Sequence, residues 1–225
     1  MKAISVLPPL RGVWKAVNTP GDRIPSHGTH EFGQTFAYDF VRFKSLKHKG
    51  SFHTRSHFSY LMAQVKVSDC HGWGASIYSP IDGVVREVVN SVKERERLHL
   101  VSDLGLAIYN GLFYSFEKDE IHKIGGNYLI IEGSECCAWI AHAKTGSISP
   151  QVGDIVKAGE VVAKLGHSGN STAPHLHFQL MERVDIRTAK GVPCCFTDYE
   201  VLSDGNWCSV TNGIPTSDQT IRYND

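Results

Sequence analysis

Short apolar runs separated by Gly, Asn, Asp or Ser organise most of this chain, and their periodicity is that of strands rather than helices. From Asn127 onward the pattern is plain: NYLIIEG, CCAWIAHAK, DIVKAGEVVAKLG and HLHFQLMER follow one another with turn residues between them. Upstream, TFAYDFVRF (35–43) reads as a strand that sets a polar Asp39 among core residues. SPIDGVVREVV (79–89) places an Asp-Gly turn directly before a Val-rich strand. It resembles VGDIVKAGEVV, which is weak evidence for a duplicated hairpin unit. Residues 1–34, rich in Pro, Gly and polar side chains, read as an irregular segment. KSLKHKGSFHTRSH (44–57) is polar and gives way to apolar residues around Tyr60–Val67. KERERLH (93–99) reads as a solvated face or loop, and LGLAIYNGLFYSF (104–116) as a helix interrupted at Gly111. The expected architecture is all-β: antiparallel strands in a sandwich or open barrel, not βαβ units. One domain spans 1–225, with its core β region at 127–182 and an irregular or partly helical insertion at 91–124.

Composition narrows the class. Lys plus Arg and Asp plus Glu each number 23, so the formal charge is zero and no general attraction to nucleic acid is expected. No window approaches the roughly 20 apolar residues of a membrane span. The opening MKAISVLPPLRGVWKAV lacks the unbroken apolar stretch of a secretory signal, so a cytoplasmic location is expected for the chain as it stands, with export requiring a leader. Of the six cysteines, four form the vicinal pairs 136/137 and 194/195, and none makes a CxxC. Reduced, buried thiols are the expectation.

Among twelve histidines, two have a telling setting. In GHSGNSTAPHLHFQL (166–180) a strand would turn His175 and His177 to one face and Leu176 to the other, which makes a ready metal or proton-transfer pair. His142 closes the apolar run WIAH. Alone it reads as a structural histidine, but three successive strands would bring it beside His175.

The stretch from about Asn127 to Gln179 resembles the LytM and lysostaphin-type zinc metallopeptidases, peptidase family M23. The resemblance rests on a strand bearing one His, a Gly-Asp-x-Val-x-x-Gly turn, SGxS, and a proline before HLHF; SPIDGVV resembles an earlier family segment. It implies the duplicated hybrid motif fold and a Zn2+ ion held by the His and Asp of an HxxxD motif and by the second His of HxH. Carried onto this chain, His177 and Asp39 are ligands, and His142 and His175 are the catalytic pair that orients water and stabilises charge. The pattern departs at the first ligand, where Thr35 stands four residues before Asp39. A hydroxyl is a poor zinc ligand, so His30 is expected to substitute, His27 being the farther candidate. The implied activity is zinc-dependent endopeptidase action on peptides, in peptidoglycan cross-links or stem peptides. Phe36, Tyr38, Tyr78 and Trp139 are candidates for a substrate groove, although alternation favours the core for them. Two alternatives stand beside this: a degenerate, non-catalytic peptide- or partner-binding member of the fold, and a phosphocarrier-like histidine protein. Oligomeric state is left open.

Overall fold

The computed structural model describes residues 2–43, 52–54, 65–98 and 121–224. Strands β1 (Ile4–Val6), β2 (Gly12–Asn18) and β3 (Tyr38–Val41) are followed by β4 (Val65–Lys66), β5 (Ser76–Tyr78), β6 (Gly83–Val89) and β7 (Arg97–Leu98). A one-turn helix, α1 (His122–Gly125), leads into β8 (Asn127–Glu132), β9 (Cys137–Ala143), β10 (Ile155–Val156), β11 (Val161–Lys164) and β12 (Leu176–Met181). The chain ends with β13 (Gly191–Val192), β14 (Cys194–Ser203), β15 (Asn206–Gly213) and β16 (Ile221–Tyr223). One sheet runs in the order β1-β14-β16-β2-β3-β12-β9-β8-β6-β10, with β13 beside β12 and β15 beside β14. Two small sheets pair β11 with β5 and β4 with β7. Among the described residues the pairings are antiparallel except that of β1 with β14, so the all-β expectation is borne out. No helix among these residues is long and apolar enough to cross a membrane.

The central strands are buried on both sides, which is why β8, β9 and β12 read as nearly continuous apolar runs. Their alternation still assigns each residue to a face. Leu129, Ile131, Ala138, Ile140, Leu176, Phe178 and Leu180 join the main core with Tyr38, Phe40, Phe196 and Tyr223. Tyr128, Ile130, Trp139, Ala141 and Met181 face the other way, into a second cluster with Phe32 and Ile186. His177 and Gln179 alternate with the main-core residues of β12, so they share this second face.

Several expectations are corrected. Residues 1–34 contain two strands, β1 and β2, and β2 carries the buried Trp14 and Ala16. Its partners β16 and β3 lie far along the sequence, so nothing local announces it. The strands between His142 and His175 do not lie side by side in sequence order. β9 pairs directly with β12, while β10 leaves to pair with β6 and β11 with β5. KERERLH is not simply a solvated loop, because Arg97–Leu98 forms β7 and Leu98 is fully buried. The helix expected at 104–116 and most of the 91–124 insertion lie outside the described residues. Cys70, Cys136, Cys137, Cys194 and Cys195 are buried free thiols, and Cys208 is a free, exposed one.

Candidate metal centre and cleft

Asp39 and His177 stand opposite each other in the β3–β12 register, and alternation turns both away from the main core. The Nδ1 of His177 lies 3.0 Å from Asp39 Oδ1, and the Nε2 of His175 lies 3.5 Å from the same oxygen. The upstream histidine that reaches the carboxylate is His27, whose Nε2 lies 2.9 Å from Oδ2. His27, Asp39 and His177 offer ligand atoms all within 4.8 Å of one another. His30, expected in that place, is exposed and its Nδ1 meets the Thr35 hydroxyl at 3.1 Å. The correction has a structural reason. The backbone N–H of Ser26 donates to the Thr35 carbonyl, folding the 19–36 loop back on itself so that residue 27, not 30, is delivered to β3.

The hydrogen bonds behind these rings fix which nitrogens carry protons. Ser26 Oγ donates to the Ala37 carbonyl (2.8 Å), so it accepts from His27 Nδ1 (3.1 Å). Gln179 Nε2 donates to the Phe32 carbonyl (2.6 Å), which leaves its Oε1 to accept from His177 Nε2 at 3.0 Å. Gly33, at φ 70°, lets this amide approach, since a Cβ there would sit 2.9 Å from Gln179 Nε2. With their protons placed on the far side, neutral His27 and His177 both point lone pairs at a carboxylate that also offers only lone pairs. Such an arrangement is repulsive unless a proton or a cation sits among the three groups. When the facing position is filled by protons on these rings, the neighbouring His175 and His27, with hydrogen bonds from His177 and His27, outweigh the upward push of burial and hold the Asp39 carboxyl well below the usual range. Asn18 Nδ2 adds a further bond to Oδ2, at 2.7 Å. The donor set, two imidazole nitrogens and a carboxylate, is one zinc uses with an open fourth position.

His142 and His175 flank this centre with ring centroids 4.5 Å apart. His142 ends the regular part of β9 at φ 61°, a conformation that costs a non-glycine residue energy and turns its ring into the cleft. Its Nδ1 donates to the Ser168 carbonyl at 2.9 Å, so Nε2 is the basic nitrogen. Burial, and then the neighbouring His175 and His177, push its pKa well below the imidazole range. His175 Nδ1 faces the Ala173 carbonyl at 2.7 Å and Ser171 Oγ at 3.1 Å, and Ser171 spends its own proton on the same carbonyl. His175 is therefore also a donor at Nδ1 and basic at Nε2. The four histidines and Asp39 line a cleft of about 200 Å³ with Gln34, Ile124, Gly125, Trp139, Asn170 and Thr172. Of the candidate groove aromatics, Trp139 lines this cleft, its ring 5.2 Å from that of His177, whereas Tyr38 belongs to the main core.

The segment read as a solvated charge run backs this site. Glu94 accepts from the backbone N–H groups of His167 (2.6 Å) and Thr145 (3.2 Å) and from the Trp73 indole (3.1 Å). Arg95 donates to the Ser171 carbonyl and, at 3.2 Å, to His167 Nε2. His167 is fully buried, and its Nδ1 meets Ser171 Oγ at 3.1 Å. Burial first, then the Arg95 guanidinium and His175, push its pKa down to about 3. Sequence reasoning missed Asn18, Ser26, Glu94, Arg95 and His167. Only Gln179 carried a readable signal, two residues beyond His177 on the same strand face.

Comparison with known proteins bears on the same region. The peptidase family M23 model matches residues 106–190. Lysostaphin of Staphylococcus simulans is 49% identical over 43 residues, which is 19% of this chain and 8% of lysostaphin. The peptidoglycan DD-endopeptidase ShyB of Vibrio cholerae is 36% identical over 62 residues, 28% of this chain and 14% of that protein. The matches thus span a small part of those relatives' length. Among solved structures, the catalytic domain of S. simulans lysostaphin is similar at 23% identity and a TM-score of 0.35, over 55% of this chain and 76% of that one. The matched segment contains His142, His175 and His177, so the likeness to peptidase family M23 falls on the strands that build this cleft.

Proposed function

We propose that the chain is a zinc-dependent endopeptidase that hydrolyses peptide bonds in peptidoglycan cross-links or stem peptides. The observation that carries this reading is the convergence on the Asp39 carboxylate of His27 Nε2 and His177 Nδ1, each turned inward as a lone-pair donor by a bond on the far side of its ring. When bound, zinc supplies the Lewis acidity that acidifies water and polarises a carbonyl. The protein's own groups do the rest. His142 and His175 each present an unprotonated Nε2 on the cleft side, so either ring takes up a proton from the attacking water. The imidazolium so formed then donates to the developing oxyanion or to the leaving amine. The peptidoglycan substrate class is supported by what the relatives' names say of those proteins.

The test is metal analysis together with hydrolysis of purified peptidoglycan. About one zinc per chain is expected for the wild type. His27→Ala should weaken zinc binding by more than the roughly 10–100-fold typical of losing an outer-shell partner, whereas His30→Ala should leave it unchanged. Protein that carries no metal after purification in the presence of zinc would instead favour a non-catalytic peptide-binding member of the fold.

A further inference from the structure

Two charged residues of the 93–97 run reach the back of the catalytic pair, and nothing in the metal chemistry requires them there. The Arg95 guanidinium, which only donates, fixes His167 as an acceptor at Nε2 and hence as a donor at Nδ1. That N–H meets Ser171 Oγ, whose own hydrogen goes to the Ala173 carbonyl. Both of those oxygens receive the Nδ1–H of His175. Arg95 also holds the Ser171 carbonyl directly, and Glu94 holds the backbone N–H of His167. Every member of the chain therefore has one permitted hydrogen placement. The whole turn from 167 to 173 is braced from a segment more than seventy residues upstream.

We propose that Arg95 and His167 are positioning residues, which act through Ser171 to hold the His175 ring with its Nε2 toward the cleft. The inference rests on the endopeptidase reading for its kinetic consequence. Outer-shell partners of this kind affect activity about 10–100-fold. Neither residue touches the Asp39 centre, so the loss should fall on kcat and not on metal binding.

The zinc-loaded full chain is assayed on purified peptidoglycan as wild type, Arg95→Ala, His167→Leu and His167→Gln. The Gln amide reproduces the acceptor and donor of the ring, so it tests hydrogen bonding apart from mere volume. Arg95→Ala and His167→Leu are expected to lower kcat by about 10–100-fold with KM within about threefold and zinc per chain unchanged, and His167→Gln to recover most of the loss. Unchanged kcat, loss of zinc in parallel with kcat, or a Gln variant as poor as the Leu one would overturn the proposal. Long-range 1H–15N spectra supply an arm that needs no activity. In the wild type His167 and His175 should both carry their proton on Nδ1, and the His175 signals should move in Arg95→Ala. A wild type with His167 protonated on Nε2 sinks the proposal even if peptidoglycan is cleaved. A wild type that cleaves nothing but shows both tautomers and the shift removes the endopeptidase reading and leaves the positioning chain standing.

Discussion

At the scale of single residues, hydrogen-bond direction decides what each polar group contributes. Gln179 is fully buried and joins the Phe32 carbonyl to His177 Nε2, so it sets which nitrogen of His177 is free to bind a cation. Gln179→Leu fills a similar volume but cannot accept that proton, and it leaves a buried N–H and carbonyl unpaired. Zinc affinity, read by competition with a chromogenic chelator, is expected to fall by about 10–100-fold. Tyr223 shows the opposite case. Its ring packs against Phe40, Phe196 and Tyr199, but its buried hydroxyl has no hydrogen-bond partner among the described residues. Tyr223→Phe removes the orphaned group and keeps the packing. It should leave stability unchanged or raise it by about 1 kcal/mol in denaturant unfolding.

Elements place these residues, and a tight backbone approach lies beside His142. Gly169 has φ 67°, and a Cβ there would sit 2.3 Å from the Gly126 backbone nitrogen just after α1. The same contact sets the Ser168 carbonyl against His142 and the Ser168 hydroxyl against the Asn127 N–H. Gly169→Ala should therefore cost at least about 1–3 kcal/mol in thermal unfolding and lower activity, because the carbonyl that fixes the His142 proton must move. Elements also mark what was legible in the sequence. β8, β9 and β12 were readable because burial on both faces wrote continuous apolar runs between turn residues. The pairing of Asp39 with His177 was legible only through the family resemblance, since strand adjacency at that separation leaves no local trace. β14 and β15 went unread although Asp204–Gly205 is a two-residue hairpin signal, with Ser203 paired to Asn206 across it. The alternation of β15 is weak because that strand is mostly exposed, so the turn had no clear flanking pattern. His27 displaced His30 because loop closure depends on backbone hydrogen bonds, not on distance along the chain.

For the molecule as a whole, sheet order gathers residues from across the chain into one cleft: β3 brings Asp39, β12 brings His177 and β9 brings His142, each from an adjacent strand. Crowding histidines there makes folding itself sensitive to acid, and His167 offers the cleanest measure because it lies outside the candidate metal set. Its pKa is pushed from an ordinary 6.5 down to about 3 by burial, Arg95 and His175. Between those values the unfolded chain binds a proton at this position that the folded protein does not, so stability rises with pH across the window. The contribution is complete above about pH 6.5 and is lost progressively as the pH falls toward 3. From pH 7 to pH 5 the loss at this one position amounts to about 2 kcal/mol. His167→Gln keeps the bonds to Arg95 and Ser171 but cannot titrate. Urea unfolding of wild type and variant at a series of pH values should show the wild type losing stability faster below pH 6.5, while parallel curves would mean that His167 takes up its proton equally in the folded and unfolded protein.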